Sequence, residues 1–129
     1  AQWEYACLAG TTTRFYWGDD LDLAQIGDYA WYSGNNELTT HPVGQKLPNT
    51  WGLYDMAGNV FEFCGADWCH ENYVGAPTDG SAWSDSPFSA TRIARGGSRV
   101  NDIECRSAYR YCFSPFSGGG NLGLRIAAE

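Results

Sequence analysis

Five cysteines, two histidines and fifteen carboxylates are the groups in this chain from which reactive chemistry is most readily built. Cys64, Cys69 and His70 lie close together, but C-x4-C-H is not a spacing that wraps a tetrahedral zinc ion, so no zinc site is expected there. His41 sits beside a proline with no acid or nucleophile next to it, and no Ser-His-Asp or Cys-His order suggests itself. Cys7, Cys64, Cys69, Cys105 and Cys112 are odd in number, which excludes a closed disulfide framework. They read instead as small buried hydrophobes with one or two accessible thiols. From Arg95 to Arg125 the chain runs RGGSRVNDIECRSAYRYCFSPFSGGGNLGLR. Tyr109, Tyr111, Phe113 and Phe116 offer large contact area at low entropic cost, while Ser114, Ser117 and Gly118–Gly120 give adaptable backbone, the mixture found in antibody paratopes. An ordinary aromatic and glycine loop has the same composition, so composition alone leaves both readings open.

The elements that must position these residues are short. A length of 129 residues fits one domain, 1–129, with a single core. Charged residues make up 18% and aromatics 16%, a globular composition. The net charge of −7 repels phosphate backbones and argues against nucleic acid as a partner. No apolar run approaches the ~20 residues of a membrane span. Residues 1–9 predict a helix with Trp3, Ala6 and Cys7 on one apolar stripe and Gly10 as its stop. No capping residue precedes that helix, so the natural chain is expected to continue upstream. Thr11–Trp17 predicts a short strand or extended edge, and 21–50 a long loop pinned by Tyr29, Trp31 and Tyr32. Val60, Phe61, Phe63 and Cys64 predict a buried strand entered through the Gly58-Asn59 turn and extended by Ala66–Trp68. A loop follows over 71–90. Thr91–Arg95 and Leu122–Ile126 are the remaining strands.

Several of these stretches together resemble a known family. QWEYACLAGTTTRFYWGDD, GLYDMAGNVFEF, RGGS, CRSAYR and NLGLRIA, in this order and spacing, are similar to the formylglycine-generating (sulfatase-modifying) enzymes. The resemblance covers nearly the whole chain. It implies an α+β, C-type lectin-like fold with short antiparallel strands, few helices and much irregular loop. Members carry a further strand and helix ahead of the first helix, which this chain lacks. The enzymes of the family use two cysteines, four residues apart, shortly after RGGS, to bind copper for an oxygen-dependent oxidation. Here the first of those positions falls at Asn101 and the second near Asp102, with Cys105 alone nearby. One thiol cannot form a two-thiolate soft-metal site, so that catalysis is not expected.

A second branch with this domain matches better. Variable proteins of diversity-generating retroelements carry RGGS, altered residues, CRSA, one residue, Arg, four altered residues, Pro and a closing Gly-aromatic-Arg. The chain shows Cys105–Ala108, Tyr109, Arg110, Tyr111–Ser114, Pro115 and then Gly123-Leu124-Arg125, with Leu124 in place of the aromatic. In such systems asparagine codons are rewritten to NNY, which never encodes Trp, Met, Gln, Lys or Glu. Arg99, Val100, Asn101, Asp102, Ile103, Tyr109, Tyr111, Cys112, Phe113, Ser114, Phe116, Ser117, Gly119, Gly120 and Asn121 obey that rule and form the expected ligand-binding set; Glu104 breaks it. Arg95, Gly97, Arg106, Ser107, Arg110 and Arg125 are then expected as scaffold, the arginines tied to backbone or to Asp55, Glu62 or Asp67. Asp55, Gly58, Val60 and Glu62 match positions that hold calcium in the enzyme branch; the alternative is that the two carboxylates pair with the arginines. No cofactor is expected to be required, with calcium the one considered. The expectation is a non-enzymatic, receptor- or adhesion-type protein, surface-displayed or secreted, that binds a protein or cell-surface ligand. Its rivals are a formylglycine-generating oxidase and a calcium-dependent carbohydrate lectin.

Overall fold

The computed structural model describes residues 1–84 and 91–126, with the backbone alone for 66–68. Ser86, Pro87 and the side chain of Asp67 lie outside the described residues. Helix α1 spans Gln2–Leu8 and buries the stripe read from the sequence, with Cys7 fully enclosed and Trp3 and Ala6 packed beside it. It stops one residue before the glycine. Ala9 itself turns left-handed (φ 48°), its N–H returning to Tyr5 O at 3.1 Å, and Thr11 caps Leu8 O with both its N–H and its hydroxyl.

The run 11–17 is not a strand. It folds back through a Phe15–Gly18 bridge, and Phe15 and Tyr16, neighbours in sequence, are both buried. An alternating strand would send one of them to solvent. The long segment that follows carries one turn of helix, α2 (Ile26–Tyr29), whose Ile26 enters the core with Phe15, Tyr16, Ala30, Met56, Ala57, Cys7 and Cys105.

Three buried asparagines hold the rest of that segment. Asn36 donates to the carbonyls of Tyr32 and Arg99. Asn49 donates to Ala6 O and Cys7 O at 2.7 and 3.1 Å and accepts from the N–H groups of Trp51 and Leu53. Asn59 clamps His41 from both sides, accepting from its N–H and donating to its carbonyl. Each side chain satisfies backbone groups that irregular chain leaves without a ladder partner. Gly58 must be glycine: at φ 75° a Cβ would stand 2.3 Å from Trp31 O.

The four-stranded sheet runs β3 (Tyr111–Phe113), β2 (Arg92–Arg95), β1 (Phe61–Trp68), β4 (Leu122–Gly123). β1–β2 and β2–β3 are antiparallel, as expected, but β4 joins β1 in parallel, so the sheet is mixed. Glu62 faces Arg95 and Phe63 faces Ala94 before the register slips at a bulge preceding the Trp68–Arg92 pair. Ile103–Cys105 form a single 3-10 turn between β2 and β3.

Candidate functional site

A frame of arginines sits beneath the 95–125 stretch. Arg95 is buried, donates to Glu4 at 2.8 Å and also reaches Ser107 O and Tyr109 O. Its partner Glu4 comes from α1, a pairing with no local sequence signal because the two are far apart in the chain. Arg125 grips Glu62 through Nε and Nη2 (2.9 and 2.8 Å) and donates to the carbonyls of Tyr54 and Asp55. Trp3 Nε1 adds a further bond to Glu62 at 2.8 Å. Arg110 donates to His70 O and lies 4.5 Å over the ring of Tyr73. Arg106 departs from expectation: among the described residues no carboxylate pairs with it, and it leans 5.7 Å over Tyr109. Gly97 (φ 71°) lets the chain pass against Cys105, whose Sγ would lie 2.9 Å from an added Cβ.

On this frame the fifteen expected contact positions take unequal roles. Tyr109, Tyr111 and Phe113 gather around the buried ring of Phe61, with centroids at 6.5, 5.5 and 5.4 Å. Tyr111 is still 42% exposed, and Phe116, 91% exposed, stands clear of the body. Ser114 and Ser117 close the turn that carries Phe116, while Gly119 and Gly120 are exposed. Val100, Asp102 and Ile103 are exposed on the other stretch. Arg99 and Asn101 are half-buried, and their carbonyls accept from Asn36 and Ser33. Asn121 gives its carbonyl to Phe61 N–H at 2.8 Å, so its backbone belongs to the sheet edge. The two stretches meet where Gly120 approaches Arg99 Nη2.

Cys112 is not a lone thiol. It is bridged to Cys69, 43 residues away, with Cα atoms 5.7 Å apart. An odd cysteine count leaves room for one bridge, and the sequence held no signal for which pair would form it. The bridge joins the end of β1 to β3 across the intervening β2. Of the three cysteines outside it, Cys7 and Cys105 lie in the core, and burial pushes both thiols up to about 12. Such thiols are poor metal ligands, since the thiolate is the ligating form. Burial, with a hydrogen bond to Glu104, also raises the Tyr109 phenol to about 12.

Of the four positions matched to calcium, the two carboxylates already accept hydrogen bonds from the chain itself. Both carboxylate oxygens of Glu62 serve Arg125 and Trp3, and Asp55 Oδ2 accepts from Gly44 N–H at 2.7 Å. As they stand, the Glu62 carboxylate holds a guanidinium and the Asp55 carboxylate an amide, so calcium would have to displace both.

The fold is that of the formylglycine-generating-enzyme type of C-type lectin domain, and the chain belongs to the family described as the Sulfatase-modifying factor enzyme 1-like domain, matched over residues 1–129. Among relatives, a formylglycine-generating enzyme of Streptomyces coelicolor is 36% identical over 144 aligned residues, covering 100% of this chain and 45% of its own length. Treponema denticola variable protein 1 superposes with a TM-score of 0.81 at 35% identity, over 95% of this chain and 43% of that one. PvdO from Pseudomonas aeruginosa superposes with a TM-score of 0.83 at 34% identity, over 95% and 48%. The chain thus spans less than half the length of each of these relatives.

Proposed function

We propose that this domain is a ligand-recognition module whose 99–103 and 109–121 surface is diversified by a retroelement, and that it is not an enzyme. The observation that carries this reading is the division of labour around Arg95 and Arg125. The ion-paired side chains Arg95 and Arg125 reach backbone carbonyls of the fold while Tyr111 and Phe116 face solvent. Similarity to a variable protein of Treponema denticola supports it. The ligand is a protein or another cell-surface molecule, anchored by the aromatic side chains. The Cys69–Cys112 bridge supports a surface-displayed or secreted location, because disulfides persist in oxidising compartments.

A library carrying NNY codons at the exposed positions that hold neither the disulfide nor the Phe61 cluster, Val100, Asp102, Ile103, Phe116, Ser117, Gly119 and Gly120, tests the proposal. Most members are expected to fold with melting temperatures close to the parent while differing in what they bind. Widespread unfolding would overturn it. So would the absence, beside the coding sequence, of a reverse transcriptase gene and a near-copy of the 95–125 stretch differing at adenines.

The second reading is an oxidase, favoured by the 36% identity to a formylglycine-generating enzyme. By the resemblance, the positions of its paired thiols fall at Asn101 and near Asp102, where no cysteine stands, and Asn101 Oδ1 accepts from Ser98 Oγ at 2.6 Å. Copper-dependent turnover of a cysteine peptide would establish that reading in place of ours.

A further inference from the structure

A cleft of about 520 Å³ opens between the C-terminal end of α1 with its following turn and the segment 106–110. Its two walls are tied by Ser107 N–H donating to Arg14 O at 3.1 Å. Arg14, Arg106 and Arg110 all line it, three of only eight basic residues in a chain of net charge −7. The carboxylate in its lining, Glu4, is already paired with Arg95 at 2.8 Å and so does not neutralise the others. Arg110 spends its guanidinium on His70 O and the Tyr73 ring. Arg14 and Arg106 have no carboxylate partner among the described residues; each only leans over an aromatic ring, Phe15 and Tyr109, at 5.7 Å. Arg106 Nε is shut off from solvent with no acceptor among the described residues. Of the other acids nearby, Asp19 Oδ1 accepts from the Arg14 backbone N–H, and Glu104 Oε1 accepts from the Tyr109 hydroxyl while its Oε2 is enclosed without a hydrogen-bond partner among the described residues.

Two arginines without an ion pair among the described residues, in the lining of one concave site on an acidic protein, are matched by one chemistry. We propose that this cleft binds an oxyanion, the carboxylate or sulfate group of a ligand, through Arg14 and Arg106. Guanidinium forks bind such groups by paired N–H···O bonds. The site rests on these two arginines and stands whether or not the neighbouring surface is rewritten.

The test is a titration of isotope-labelled protein, followed by nuclear magnetic resonance, with sodium sulfate and separately with sodium acetate, ionic strength being held constant with sodium chloride. Saturable shifts are expected at the Arg14 and Arg106 side-chain N–H groups and at the amides of Thr12, Thr13 and Tyr109. Saturation by sulfate alone would assign a tetrahedral anion and by acetate alone a planar one, and either supports the site. Arg14→Gln and Arg106→Gln are each expected to weaken binding at least threefold, whereas Lys46→Gln, a cation outside the cleft, leaves it unchanged. Shifts that never saturate, or that persist undiminished in both arginine variants, would overturn the proposal. The wild-type titration decides even if a variant fails to fold. A positive result alongside an intolerant NNY library would leave the anion site standing without the diversified surface.

Discussion

Glu62 is buried on β1, and its charge partner among the described residues is Arg125, itself about a third exposed. Removing the guanidinium strands a carboxylate in a poorly hydrated place, so Arg125→Met is expected to cost about 2 kcal/mol, less than for a fully enclosed pair. Adding Glu62→Gln to that variant should restore part of the loss, as urea unfolding of the two single variants and the double variant would show. The same pair bears on calcium. With both oxygens of Glu62 engaged by the chain's own donors, neither calcium nor a chelator is expected to move the melting temperature; a clear rise with calcium would mean that Arg125 yields its place. The buried thiols make a prediction of opposite pH sense to a salt-bridged acid. Burial raises Cys7 and Cys105 to about 12 from an ordinary 9.0, so between those values the unfolded chain loses protons that the folded one keeps. Stability is therefore full below pH 9 and falls as pH rises toward 12. Replacing both cysteines with alanine should flatten that decline in denaturant midpoints measured across alkaline pH.

The secondary-structure elements were legible where a local rule governs them and illegible where a distant partner does. Helix α1 follows from the spacing of Trp3, Ala6 and Cys7, and β1 from the apolar run after Gly58-Asn59, because burial of one face leaves a periodic trace. The turn over 11–17 has strand-like residue types, but placing both Phe15 and Tyr16 in the core overrides them. Asn36, Asn49 and Asn59 are of a residue type common in turns. Their actual work, holding carbonyls as far away as Arg99 and Ala6, leaves no local mark. The exposed aromatic stretch was legible from composition and spacing; its attachment was not, since nothing near Cys112 names Cys69 as a partner. That bridge closes a 43-residue span, for which chain-entropy reasoning gives about 4 kcal/mol. The Cys69→Ser, Cys112→Ser double variant is expected to unfold at markedly lower urea, and reduction of the parent should reproduce the change. Equal midpoints would mean that hydrogen bonding across β2 already fixes β3.

Across the molecule as a whole, resistance to substitution should follow the frame and not the conventional hydrophobic core, which is small. The enclosed residues are joined by asparagine and arginine side chains that serve backbone carbonyls, so the cost of a change depends on what a side chain holds. Gly58→Ala combines a left-handed backbone with a 2.3 Å approach to Trp31 O, and the backbone strain alone is expected to cost about 1–3 kcal/mol. On the opposite face the effects should be graded by contact with Phe61. Phe116→Ser, at 91% exposure, is expected to stay within about 0.5 kcal/mol of the parent. Tyr111→Ser and Phe113→Ser, which give up ring contacts at 5.5 and 5.4 Å, should each cost about 1 kcal/mol. A surface built for rewriting would therefore not be uniformly free: positions over Phe61 would combine binding with modest stabilisation, and those beyond Pro115 would contribute to binding alone. Denaturant midpoints for this series distinguish that gradient from a face that is energetically flat, in which case Phe61 would be a bystander and not the platform on which the aromatic cluster rests.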